Sequence, residues 1–131
     1  MTSYFVDSNF WLRFLLQDNL PQSREVRRYM KLAKNQRVRL VLRSEVVMEC
    51  VYVLERVYRV PREKVGSLLG GLVKTFFLDV PDRRVLLSVF DVYLQSTVDF
   101  LDVFLYELAR EEGGKVLSFD KDFLHLRKRF G

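Results

Sequence analysis

The chain predicts an α/β fold: a parallel sheet of four strands, five if an edge strand is added, with helices on both faces in three layers. Short apolar runs bounded by polar residues mark strands at 4–6, 39–42, 76–80 and 115–119. Between them lie longer segments whose apolar residues recur at helical spacing. Strands alternating with helices of about ten residues or more imply right-handed crossovers, and hence a parallel sheet covered on both sides.

Each helix has its own signals. Ser8 can cap a helix reaching about Leu16, with Phe10, Phe14 and Trp11 turned inward. Pro21 suits an early helical position, after which Val26, Met30 and Ala33 form a stripe. Arg24, Arg27, Arg28 and Lys31 occupy the opposite face. Ser44 can cap the next helix, with the stripe Val47, Cys50, Val51, Leu54, Val57 and Tyr58. Pro61 opens a helix ending near Lys74, and Pro81 opens another that carries Val85, Val89, Val92 and Tyr93. The helix after Asp99 stops at Gly113-Gly114. Gly66, Gly70 and Gly71 match no phosphate-binding loop and read as sites of close helix packing or a bend.

Length and composition fit one domain over 1–131: 131 residues, 49% hydrophobic, are enough for a packed core and exclude a disordered tail. No repeat, linker or low-complexity tract divides the chain. The net charge of +5 favours an anionic partner. A single cysteine, Cys50, forbids an intrachain disulfide. Asp7, Asn9 and Arg13 interrupt the apolar N-terminal stretch, so it does not read as a signal peptide. No apolar run nears the roughly 18 residues of a membrane span, so we expect a soluble, cytoplasmic protein without membrane contact.

The acids carry the chemistry. Asp7 follows the run Tyr4-Phe5-Val6, and Asp120 follows Val116-Leu117-Ser118-Phe119, so each reads as the first residue beyond a buried strand. Ligand crevices of parallel sheets lie at the carboxyl ends of strands. If the first and last strands are neighbours, these two carboxylates converge. Glu49 is the only charge in VVMECVYVL (46–54), and Asp102 the only charge in FLDVFLY (100–106). Burying an unpaired charge costs several kcal/mol, so lone acids in apolar runs call for a partner.

Structural roles compete with this reading. Asp7 serves equally well as a helix cap. Asp99 and Glu45 suit a cap and a first-turn acid, and Asp122 a first-turn acid. Arginines offer the buried acids an alternative partner. Hard oxygen donors suit Mg²⁺ or Mn²⁺. Two carboxylates about 5 Å apart repel by roughly 3 kcal/mol at an effective dielectric near 20, a strain that a cation relieves. One histidine and one cysteine leave zinc sites and Cys/His nucleophilic pairs unsupported, and His125, in LHLRKRF, reads as a surface residue.

In YFVDSNFWLRFLL, EVVMECVYVLERVY and DFLDVFLYELAREEGGKVLSFDKDF, taken in order, the chain resembles the PIN-domain ribonucleases, and among them the VapC-type toxins of toxin–antitoxin pairs. The resemblance runs from Tyr4 to about Phe123. It implies an acidic Mg²⁺ or Mn²⁺ site from Asp7, Glu49, Asp102 and Asp120, with Asp99 auxiliary and Ser8, Asn9 and Ser118 supporting. It further implies cleavage of structured RNA, a homodimer, and a small VapB-like antitoxin protein as partner. The face Arg24, Arg27, Arg28 and Lys31 is a candidate RNA-binding surface. The competing class is a non-catalytic module that docks RNA or protein. An aspartyl phosphatase is disfavoured, because its second acid, two residues on, is here Asn9.

Overall fold

A computed structural model describes all residues, Met1–Gly131, in the order β1 (Thr2–Phe5), α1 (Ser8–Leu16), α2 (Leu20–Lys34), β2 (Val38–Val41), α3 (Ser44–Arg56), α4 (Arg62–Lys74), α5 (Arg83–Leu94), α6 (Phe100–Glu111) and α7 (Lys121–Phe130). It contains two compact units, Met1–Asp82 and Arg83–Gly131.

In the first unit β1 and β2 pair in parallel, Thr2 opposite Val38 through Phe5 opposite Val41. The connection through α1 and α2 supplies the length that parallel neighbours need. Trp11 and Leu12 of α1 are buried together with the predicted stripe Val26, Met30 and Ala33 of α2. Phe10 and Phe14 are only half-buried. From α3, Val47, Cys50, Val51 and Leu54 join the buried set, but the helix ends at Arg56 and leaves Val57 and Tyr58 exposed. The Ser44 hydroxyl opens α3 by donating to Asp82 Oδ2 at 2.6 Å rather than by capping the helix. Arg43 holds the cap position.

The four-stranded expectation is corrected here, since the sheet has two strands. At 76–80 only Asp79 joins it, donating from its N–H to the Leu40 carbonyl and accepting from the Leu42 N–H, each at 2.8 Å. Helix α4 runs on to Lys74, and a turn closed by Leu78 N–H on the Thr75 carbonyl consumes Phe76 and Phe77. Pro81 lacks the N–H needed to extend the ladder. The run 115–119 forms no strand either. It lies in the second unit, whose regular elements are all helices, so no sheet edge in that unit can receive it. Leu117 and Phe119 are fully exposed. All four residues of β1 are exposed as well, so the buried strand expected before Asp7 is also corrected.

The second unit is α5, α6 and α7. Phe90, Tyr93 and Phe100 form an aromatic cluster with ring centroids 5.0 to 6.1 Å apart. Val103, Phe104 and Tyr106 of α6 and Leu126 of α7 are buried, and the Tyr106 hydroxyl donates to the Leu126 carbonyl at 3.3 Å. As expected, α6 stops before Gly113, whose φ of +69° is a left-handed conformation that glycine adopts without strain.

Candidate metal centre

Apart from Glu49, in the middle of α3, the acids of interest sit at helix N-termini, where unpaired N–H groups and the helix dipole favour negative charge. In the first unit Asp7, not Ser8, caps α1, its Oδ1 accepting from the Phe10 N–H at 3.0 Å. Ser8 is buried, and its carbonyl accepts from Cys50 Sγ at 3.9 Å, tying the start of α1 to the middle of α3. Burial, then the charges of Glu49 and Asp7, push the Cys50 thiol up to about 12. Both carboxylates therefore act on the same buried sulfur. Asp7, Asn9 and Glu49 are exposed. For Glu49 this overturns the expectation of burial: its apolar neighbours in sequence point to other sides of the helix. Glu45 pairs with Arg43 at 3.3 Å, and its own backbone N–H, with that arginine, holds its carboxyl below the usual range. Beside Asp7 opens a groove of about 320 Å³ lined by Tyr4, Phe5, Phe10 and Tyr29.

In the second unit, carboxylate oxygens of Asp102, Asp120 and Asp122 lie within 4.8 Å of one another. Asp102 is in the first turn of α6 and half-buried. Burial first, then the charges of Asp120, Asp99 and Asp122, hold its carboxyl above the ordinary range. Asp120 is placed by the cap of α7 and not by a strand end: its Oδ1 accepts from the Asp122 N–H at 2.9 Å, while its own N–H donates to Ser118 Oγ at 2.9 Å. Asp99 holds the cap position of α6 without a side-chain bond. The sequence reading missed Asp122 as a member of this group. The signal available was its spacing of two from Asp120, which puts both on one helix end.

None of Asp7, Glu49, Asp102 and Asp120 is in an ion pair, so the arginine alternative does not occur at these positions. Arginines are spent elsewhere, Arg39 on Asp79 and Arg84 on Glu111. Three unpaired carboxylates converging on one point, one of them already reluctant to ionise, form a hard-oxygen donor set that fits a divalent cation.

The basic face of α2 is exposed throughout, but Arg28 is bound to Glu25 at 2.7 Å and lies 4.6 Å from the Tyr29 ring centroid. Arg24, Arg27 and Lys31 remain without a carboxylate partner. No helix is long and apolar enough to cross a membrane. The family model of the PIN domain matches residues 4–129. No curated protein and no solved structure matches the chain.

Proposed function

The chain belongs to the PIN domain family, whose members are generally nucleases, and from that premise we propose that it is a metal-dependent endoribonuclease. The observation that carries the reading is the unpaired trio Asp102, Asp120 and Asp122, within 4.8 Å and unneutralised by any basic side chain. We assign Asp7, Glu49, Asp102 and Asp120 as carboxylates required for metal-dependent cleavage, Asp99 and Asp122 as auxiliary, and Ser8, Asn9 and Ser118 as supports. A bound Mg²⁺ or Mn²⁺ supplies activation of water and neutralisation of charge on the phosphodiester. Ser118 holds the backbone N–H of Asp120 and so fixes the turn that presents that carboxylate. A cation would favour the ionised form of Asp102, whose carboxyl is held above its usual range by burial and by three neighbouring negative charges.

On the same reading, the protein is the toxin of a toxin–antitoxin pair, a homodimer restrained by a small VapB-like antitoxin and directed at structured RNA. The motif resemblance supports this assignment. Purified protein is expected to cut end-labelled structured RNA with Mg²⁺ or Mn²⁺ and to stop with chelator, leaving a 5′-phosphate and a 3′-hydroxyl. Asp102→Asn should lose cleavage by orders of magnitude yet still bind RNA. Cyclic phosphate ends, or cutting that persists in chelator, would rule the mechanism out. Binding without cleavage over several RNAs and both metals would identify a non-catalytic docking module instead.

A further inference from the structure

Beside the acid trio the second unit holds a cavity of about 340 Å³, within the range of small-ligand pockets. The C-terminal half of α6, residues 114–118 and α7 surround it. Its wall carries three cations, Arg110, Lys115 and Arg127, the ring of Phe123, and, on its border with the trio, Asp120. Arg110 is bound to Glu107 at 3.2 Å, whereas Lys115 and Arg127 have no carboxylate partner. Two unpaired cations in one cavity favour an anion, and a guanidinium presents the forked donors that match phosphate oxygens. A half-buried phenylalanine beside them adds a face on which a base can stack. An acidic peptide would use the cations but leave that ring without a planar partner.

We propose that this cavity receives one nucleotide of the RNA strand next to the scissile phosphate, its phosphate on Lys115 and Arg127 and its base against Phe123. The inference rests on the nuclease reading for the identity of the strand. Because Asp120 belongs to both the cavity and the trio, a strand held here runs directly past the acids. The pocket is lined by residues of the second unit alone, and the basic face of α2 belongs to the first.

The test is a titration of the full chain in chelator with adenosine 5′-monophosphate, followed by amide NMR, beside parallel titrations with adenosine and an acidic peptide. Saturable shifts confined to residues 106–127, much weaker with adenosine, are expected. Lys115→Ala/Arg127→Ala should weaken binding by about tenfold or more, the scale of lost charge-assisted bonds. Arg127→Lys should retain most of it, and Lys64→Ala, at an exposed position of α4 outside the pocket lining, all of it. Should the double variant melt early, Arg127→Ala alone gives the comparison. No saturable shift, unchanged affinity in the cation variants, or equal binding of the acidic peptide would overturn the proposal. Nucleotide binding in a chain that cuts no RNA would sink the nuclease reading and keep the pocket. RNA cleavage with a silent pocket would sink only the pocket.

Discussion

Asp102 and Cys50 show how a single side chain reports on its surroundings. The Asp102 carboxyl is raised by burial and by three acid neighbours, so the folded chain holds a proton that the unfolded chain releases. Stability therefore falls as pH rises above the ordinary carboxyl value of 3.8 and recovers as pH falls. In chelator, Asp102→Asn should melt higher than the wild type at neutral pH, with the gap closing toward about pH 4. A gap that does not change with pH would show that the charge is not the cause. Saturating Mn²⁺ should raise the wild-type melting temperature and leave Asp102→Asn unmoved, since a ligand stabilises only the state that binds it. Cys50 is fully buried, its thiol pushed up to about 12. Thiol reagents at neutral pH should reach it only through unfolding, so labelling should rise in step with a urea melt. Rapid labelling of the native chain would contradict the packing described for α3.

At the scale of elements, caps and turns decide more than apolar patterns do. Asp7 combines two roles that substitution can separate. Asp7→Asn keeps an N-cap acceptor and should fold like the wild type while losing cleavage. Asp7→Ala should lose, in addition, about 1 kcal/mol of stability, measured by urea denaturation. Equal stability of the two variants would deny the cap its role. In α4, a side chain at Gly71 would meet nothing within 4 Å, and the same holds at Gly70, so neither glycine permits the close helix packing expected of it. Gly71→Ala should accordingly stabilise by about 0.5–1 kcal/mol, because glycine loses more backbone entropy in a helix than alanine. The missing strands belong at this scale too. Both 76–80 and 115–119 carry the apolar composition of strands, yet neither is one, because a strand exists only where a second backbone meets it. The Thr75 turn and Pro81 limit the first run to one bridge, and the all-helical second unit gives the other run no partner.

For the whole molecule, the excess of 22 basic over 17 acidic residues sets the response to salt. Neutralising phosphates releases counterions, and for single strands each contact contributes about 0.7 to the slope of log affinity against log salt. Substituting Arg24, Arg27 and Lys31 by alanine should flatten that slope by up to about 2 if all three touch RNA. An unchanged slope would return the α2 face to ordinary solvated charge. Arg28 is left out of this variant because Glu25 already neutralises it.

What the sequence determined by itself was the helical content and the standing of Asp7, Asp99 and Asp120 at the ends of elements. Helical spacing, prolines and the Gly113-Gly114 stop are local signals, and local signals are enough to place α1 through α7 within a few residues. Acids at element ends were legible for the same reason, since a cap is decided by its own few neighbours. Tertiary structure alone decided which runs found a partner strand and which acids were buried. Glu49 sits among apolar letters but faces outward, because a helix turns neighbours in sequence to different sides. Asp122 joins Asp102 across nineteen intervening residues through the meeting of the first turns of α6 and α7, a proximity no spacing rule contains. Periodicity reports which face a residue takes within its own element. Convergence of charge, and the pairing of backbone with backbone, depend on what another element brings to that face.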